Sequence, residues 1–461
     1  MSRFKLSSAQ LILLSFAGLI LAGTGLLMLP LAAQDHSSMP FIDALFTATS
    51  ASCVTGLVVV NTMSHWSWFG KLVIISLIQL GGIGIITVVS GIMLQMRRHL
   101  GLRGRLTVQA AFNQNQLNGM GSLVKLVLRY TLSIEAAGAV LLTLGFYTSN
   151  HGYGFFESLI YGIFHAISAF CNAGFDIVGQ NSLVGFQTNW LVNLTIMALI
   201  VLGGLGFLVL YELQCFAVRD RTQRTARRWR RFSLHTKLVL VTTLVLLVGG
   251  TLMFALLEWH NPKTLGPLST AHKWLAAAFE SVTLRTAGFL TIDQGAFSDY
   301  SKLIASTLMF VGGSPAGTAG GMKTVSLAVL VVAVTAAMKG HEHMVVFKRK
   351  LSLAMLQKAL SVAGMLAMVT LLSVLVLHFS ERGNPFHPGV LDLVFETTSA
   401  VGTVGLTTGM TPTLSVIGKG VLILCMFIGR LSPLTLAIAL AMKQQNLEHH
   451  IDYPEEDVII G

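Results

Sequence analysis

Charge is what this sequence has least of. Aspartate and glutamate together number 20 in 461 residues, and charged residues of both signs make up only 11%. A soluble domain carries about a quarter of its residues charged, so a soluble fold of this length is excluded. Cysteine is scarce as well. Cys53, Cys171, Cys215 and Cys425 are scattered, with no CxxC pair, which rules out a disulfide framework or a zinc ribbon. The motifs of enzymes are also missing. There is no P-loop and no GxGxxG on a strand-helix unit, so no nucleotide site is expected on this chain. His341-Glu342-His343 places its histidines two apart rather than the four that a zinc protease needs. Gly312-Gly313-Ser314-Pro315-Ala316 lacks the last glycine of a nucleophile elbow. His449 and His450 lie in a polar tail. The reading is therefore of a chain that is not an enzyme and holds no cofactor of its own.

What is present is apolar text. Residues of the hydrophobic class make up 53% of the chain and the mean hydropathy is +0.71. Stretches of about 20 such residues cross a bilayer as helices. The net charge of +11 sits in short runs, which reads as membrane topology rather than nucleic-acid binding. Arg3 and Lys5 before an apolar run resemble a signal peptide. The run from Ala9 to Leu29 is too long for a typical signal core, and is read as the first spanning helix.

The chain is organised around the stretch Phe395 to Gly409. Helical text from Phe395 to Val401 runs directly into Gly402-Thr403-Val404-Gly405. Such a run suits an extended strand whose carbonyls face one way, because glycine reaches backbone angles closed to other residues. A ring of these carbonyls can replace the water shell of a bare cation. Three more copies are needed, and three are there. Phe46 leads to Cys53-Val54-Thr55-Gly56, Phe164 to Cys171-Asn172-Ala173-Gly174, and Phe279, one residue shorter, to Arg285-Thr286-Ala287-Gly288. The four glycines are spaced by 118, 114 and 117 residues. Each is followed 24 to 29 residues later by a second mark: Gly81-Gly82, Gly203-Gly204, Gly312-Gly313 and Gly429-Arg430. A period held along the whole chain predicts a repeat architecture. Small residues that merely let helices approach in lipid explain the glycine pairs but not the Phe-to-Gly segments.

The predicted fold is all-α and integral to the membrane. Four pseudo-symmetric helix, pore-loop, helix repeats surround one axis, with eight spanning helices and four re-entrant pore helices. Repeat one covers 1–100, repeat two 101–218, repeat three 219–340 and repeat four 341–443, followed by a tail over 444–461. The spanning pieces are placed at 9–33 and 69–95, 120–148 and 188–214, 234–258 and 302–338, 351–380 and 415–443. The pore helices are placed at 41–52, 155–170, 271–284 and 387–401. They are too short to cross, and a backbone that ends at membrane depth is tolerated only where it lines a wet cavity. Their carboxyl ends carry partial negative charge, which favours a cation.

Orientation follows lysine and arginine. Arg97, Arg98, Arg103 and Arg105 follow repeat one. Arg219 through Arg231 follow repeat two, and Lys339, Lys348, Arg349 and Lys350 follow repeat three. Both termini and the three repeat junctions are therefore expected in the cytoplasm, with the junctions also a candidate docking surface for an acidic partner or anionic lipid.

The second helix of repeat three is too long. Lys302 to Met338 would run roughly 55 Å as a straight helix, against a hydrocarbon core of about 30 Å. In its middle lie Gly312, Gly313, Ser314, Pro315, Gly317, Thr318, Gly320 and Gly321. Five glycines and a proline cost a helix about 8 kcal/mol relative to alanine. An irregular, flexible loop beneath the ion ring is expected, a natural gate, with Lys323 closing it. Arg430 is the equivalent mark in repeat four. An arginine within apolar text is costly and so functional. It is expected to face the cavity below the ring and to hydrogen-bond the loop. Glu135 is expected to pair with a cation of a neighbouring helix, or to reach the interface near Lys125 and Arg129. The side chain of Arg285 should turn away from the ion, leaving its carbonyl to the ring. The acidic tail with Asp452, Glu455, Glu456 and Asp457 has no assigned role.

These segments, the loop Gly312–Thr324 and Arg430 resemble the Trk/Ktr/HKT superfamily of potassium uptake proteins over nearly the whole chain. Repeat one begins at once, which favours the Ktr branch. The resemblance implies potassium translocation, often sodium-dependent, by a homodimer with one pore per protomer in the bacterial inner membrane. It also implies a cytosolic RCK-type, KtrA-like regulatory subunit that binds nucleotide and acts on the loop. Glycine at Gly56, where plant relatives with sodium preference carry serine, leans toward potassium. The departures from TVGYG, greatest in repeats two and three, imply looser discrimination of K+ from Na+. Coupled symport, rather than channel-like passage, stays open on the sequence.

Overall fold

The computed structural model describes residues 7–95, 102–111, 120–149, 151–179, 181–219, 229 and 231–431. Arg3, Lys5, Arg97, Arg98, the arginines at 221, 224, 227, 228 and 230, Lys443 and the tail from 444 lie outside the described residues. So do the side chains of Arg103, Arg105 and Arg219.

The regular elements of the described chain are helices apart from a hairpin at Val345–Val346 and Arg349–Lys350. Four times a long helix is followed by a short buried one. The long helices are Ser8–Leu27, Met120–Tyr147, Leu234–Glu258 and Leu353–Ser380. Their sequences are apolar on nearly every face, and leucines such as Leu21, Leu132, Leu244 and Leu371 stay exposed, as a lipid-facing helix requires. By length and composition these four are able to cross a membrane, or five helices if a bent pair counts as one. The short helices are Phe41–Ser52, Phe155–Phe170, Thr270–Thr283 and Val390–Gly402. The last three residues of each are buried, hydroxyls included.

The return helices differ from the expectation. Continuous helices over 69–95 and 188–214 were expected, and both are broken. Trp68–Ile83 stops at Gly84, with φ +89°, and Ile85–Gln95 follows. Trp190–Leu205 stops at Gly206, with φ +91°, and the helix beyond it, which begins at Phe207, is bent by 101°. A left-handed glycine ends a helix because no following peptide can continue the i to i−4 ladder from it. In the third unit the break is an entire loop between Asp299–Phe310 and Thr324–Met338. In the fourth, Val416–Leu431 reaches the end of the described residues.

Return helices and short helices alternate around the molecule. Trp68–Ile83 packs on Phe155–Phe170, and Trp190–Leu205 packs on Thr270–Thr283. Asp299–Phe310 packs on Val390–Gly402, and Val416–Leu431 returns to Phe41–Ser52. Lys302 and Asp392 pair at 2.9 Å across the third of these contacts, and Lys419 and Asp43 at 2.5 Å across the fourth. The four units thereby close on themselves.

Candidate functional site

Each short helix leads into the same turn. Val54, Asn172, Thr286 and Thr403 are left-handed, with φ between 53° and 68°. Two residues later Gly56, Gly174, Gly288 and Gly405 again have positive φ. This is not the extended strand that the sequence suggested. In a strand successive carbonyls point to alternate sides, whereas a change in the sign of φ swings the peptide planes so that neighbouring carbonyls face the same way. The N–H groups are tied back. Thr55 donates to Ser50 O at 2.8 Å, Ala173 to Ser168 O at 2.7 Å, Ala287 to Thr283 O at 2.9 Å and Val404 to Ser399 O at 2.8 Å. The missing residue of the third copy is absorbed where its helix ends early, at Thr283.

The four turns meet. A Cβ built on Gly56 would lie 2.6 Å from the carbonyl oxygen of Ala173. One on Gly174 would lie 2.6 Å from Ala287 O, one on Gly288 2.5 Å from Val404 O, and one on Gly405 2.0 Å from Thr55 O. First touches second, second third, third fourth and fourth first. Among the described residues no backbone N–H donates to the carbonyls of Thr55, Ala173, Ala287 or Val404. The arrangement therefore leaves a ring of acceptors with no protein donor.

Sequence reasoning missed the hydroxyls that brace this ring. Ser50, Ser168, Thr283 and Ser399 stand four residues after the phenylalanine in every copy. Ser50 Oγ accepts from Gly56 N and Ser399 Oγ from Gly405 N, both at 3.1 Å. Ser168 donates to Phe175 O at 2.7 Å and Thr283 to Phe289 O at 2.8 Å. The recurring hydroxyl was the available signal.

The second marks have a steric cause. A Cβ on Gly81 would sit 1.9 Å from Ser52 O. On Gly203 it would sit 2.0 Å from Phe170 O, and on Gly429 2.0 Å from Val401 O. The return helices touch the carboxyl ends of the short helices here, which only glycine permits. Gly312 lies instead against its own loop, where a Cβ would sit 2.0 Å from Gly320 O, with Thr286 Cγ2 of the third turn 3.0 Å away.

The Gly312–Gly321 segment is irregular and largely buried, but it is hydrogen-bonded throughout rather than loose. Ser314 N donates to Gly204 O at 2.8 Å, Thr318 N to Gly203 O at 3.2 Å, and Ala316 O accepts from Phe207 N at 2.9 Å. Thr318 Oγ1 donates to Phe170 O at 3.0 Å. The break in the second unit is thus the seat of the loop from the third. Gly320 abuts Thr403 of the fourth ring segment. Pro315, Ala316 and Gly317 form its half-buried shoulder. Lys323 folds back, donating to Ala319 O at 2.7 Å. Arg430 donates to the Thr318 carbonyl, and its Nη2 reaches Gly81 O at 2.5 Å and Gly82 O at 3.0 Å. One guanidinium therefore joins the fourth unit, the loop of the third and the glycine pair of the first. A planar fork with several donors suits such a junction of carbonyls.

Two charged residues are placed differently from each other. The carboxylate of Glu135 accepts from the Gln79 amide at 3.1 Å and faces the Cys171 thiol at 3.9 Å. Its partners are these groups rather than a cation, because Trp68–Ile83 presents an amide and not a charge at that height. Arg285 is buried and donates to Gly312 O at 2.9 Å.

An apolar helical bundle with a buried four-part acceptor ring falls in the class of membrane cation-transport proteins, and the comparisons agree. The chain belongs to the TrkH family, described as cation transport protein, whose model matches residues 9–450. It is 39% identical to Ktr system potassium uptake protein B of Bacillus subtilis over 99% of this chain and 97% of that protein. It is 36% identical to the potassium/sodium uptake protein NtpJ of Enterococcus hirae over 100% of this chain and 98% of that one. The crystal structure of the potassium transporter TrkH from Vibrio parahaemolyticus shares the fold, with a TM-score of 0.70 and 19% identity over 95% of this chain and 86% of the other. These relatives are transporters, not enzymes, and neither is this chain.

Proposed function

We propose that this chain is the ion-translocating membrane subunit of a potassium uptake system. K+ exchanges its water shell for the backbone carbonyls of Cys53–Gly56, Cys171–Gly174, Arg285–Gly288 and Gly402–Gly405. It then meets a barrier made by the loop from Gly312 to Lys323 and by Arg430. The observation that carries this reading is the closed cycle of glycine contacts, Gly56 to Gly174 to Gly288 to Gly405 and back. A carbonyl ring has affinity for a bare alkali ion because it substitutes for hydration at no net charge. The four short helices add the negative ends of their dipoles.

On this reading each of the four units has two spanning elements and one that dips half way, eight and four in all. Breaks at Gly84, Gly206 and the loop are part of the second spanning elements. The domain limits 1–100, 101–218, 219–340 and 341–443 mark these units. The chain lies in the bacterial inner membrane with both termini in the cytoplasm. It works as a homodimer under a cytosolic RCK-type nucleotide-binding subunit that acts on the loop. Dependence on Na+ is supported by the potassium/sodium name of the Enterococcus relative. Opening requires that the Arg430–Thr318 and Thr318–Phe170 hydrogen bonds break.

The test is rubidium uptake, as a stand-in for K+, and sodium uptake by vesicles that contain Gly56→Ser, Gly174→Ser, Gly288→Ser or Gly405→Ser protein. Each serine strains a left-handed backbone and crowds the next copy, so each should lower the K+ over Na+ flux ratio by about tenfold or abolish flux. Wild-type ratios in all four variants would overturn the ring as the site of selection.

A further inference from the structure

Arg285 is puzzling as a neighbour of a cation pathway. It is buried at 8% exposure, and its Nη2 is occupied by Gly312 O. Its Nη1 is buried with no partner. A guanidinium has five N–H donors and no acceptor, so a buried one demands acceptors on every side. On the helix Leu234–Glu258, Thr243 Oγ1 is also buried without a partner. These two unpaired groups line the same small cavity, about 10 Å³, together with Gly204, Gly313 and the apolar Val201 and Val282. That volume suits one water, and a buried water needs two to four polar partners.

We propose that Arg285 is a positioning residue that couples the third ring segment to the Gly312–Gly321 loop. It acts through its bond to the Gly312 carbonyl and through one buried water held between Nη1 and the Thr243 hydroxyl. The proposal rests on the ring-and-gate reading above and adds to it a mechanical link. The water accepts from Nη1 and donates to Thr243 Oγ1. Gly313 is the loop's own contribution to the cavity wall, and Gly204 accepts the hydrogen bond from Ser314 N. Movement of the loop away from Gly204 opens the cavity and strips Arg285 of both partners. Arg285 is also contiguous with Thr286 and Gly288, so a shift of the ring segment is felt at the first residue of the loop. The guanidinium is needed there for its donors: a hydrogen bond from a charged group is about twice as strong as a neutral one.

The experiment uses the full-length protein in vesicles without a regulatory subunit, and reads basal rubidium flux. Arg285→Met removes both bonds and should raise basal flux at least about tenfold, the effect that losing one charge-assisted hydrogen bond from the closed state would have alone. Thr243→Val removes only the water's second partner and should raise it about threefold, with the K+ over Na+ ratio unchanged. The double variant should match Arg285→Met alone, because the two groups act through one water. A density map at high resolution should show an ordered water between Nη1 and Oγ1. A protein shortened across Gly313–Gly320 runs in parallel. If the shortened protein leaks while both single variants stay at wild-type flux, the coupling is wrong and the gate stands. If the shortened protein does not leak, the gate reading fails and takes the coupling with it. Additive single effects, or a halide in the cavity, overturn the water link. Should Arg285→Met not remain monodisperse, Thr243→Val decides: wild-type flux in that variant overturns the proposal.

Discussion

Gly81, Gly203 and Gly429 are glycine because a side chain would collide with a backbone carbonyl of a short helix. Carbonyls at a helix end cannot retreat as a leucine tip can. Gly203→Ala should therefore cost about 1–3 kcal/mol, the usual penalty of overpacking. Gly364, in the lipid-facing helix Leu353–Ser380, has nothing within 4 Å of its Cβ position. Gly364→Ala should be neutral or stabilise by up to about 1 kcal/mol through helix propensity. Melting of the two purified variants in detergent checks the contrast, and equal shifts would refute it. Both glycines look alike in a sequence. What separated Gly203 from Gly364 on paper was its recurrence in register with the other copies, and that recurrence did not say what it touched. The bracing hydroxyls Ser50, Ser168, Thr283 and Ser399 were equally visible, yet serine within apolar text reads as a helix-packing residue until its partner is known.

At the scale of the element, the short helices were legible. Segments of a dozen or so residues ending in small residues were expected at 41–52, 155–170, 271–284 and 387–401. Helices stand at Phe41–Ser52, Phe155–Phe170, Thr270–Thr283 and Val390–Gly402. The breaks at Gly84 and Gly206 were not read, although Gly-Gly-Ile-Gly84 and Gly-Gly-Leu-Gly206 spell them. A lone glycine in a helix costs only about 1 kcal/mol, so its φ is decided by what docks there, and at Gly206 that is the loop carbonyl of Pro315. Element ends also carry charge. Glu381 lies just past the helix Leu353–Ser380 and receives the Ser415 N–H and hydroxyl and the Asn384 amide. Burial alone would push its pKa up, but these hydrogen bonds, with one from Ser380, outweigh burial and hold it below the ordinary glutamate value. A depressed carboxylate stabilises the fold fully above its unfolded pKa, and that contribution fades as pH falls through the folded value. Thermal stability of the wild type should thus decline below about pH 4. In Glu381→Gln protein the decline over that window should be shallower, and an unchanged slope would remove Glu381 from the account.

On the scale of the whole molecule, closure between the fourth unit and the first is what turns a tandem array into a ring. Lys419 and Asp43 form that joint, with side chains 14% and 18% exposed. Partly buried pairs fall between surface bridges and buried ones, so Asp43→Asn should cost about 1–3 kcal/mol. The exchanged pair Asp43→Lys with Lys419→Asp should recover part of it, as the stability of the three proteins would show. No recovery would mean that the joint depends on surroundings built for one polarity. The amino-acid sequence by itself determined the helical class, the membrane habitat, the fourfold period, and the short helices, because apolar length, glycine content and recurrence are properties of the chain read along itself. Only the tertiary structure decided which copy touches which, that the loop of the third unit is seated in the break of the second, and that Arg430 spans three units. It alone decided that Glu135 meets an amide and a thiol, and that Arg285 turns to Gly312. Those are contacts between residues more than 25 positions apart, and their identity depends on how closely backbones approach in space, which no local pattern encodes.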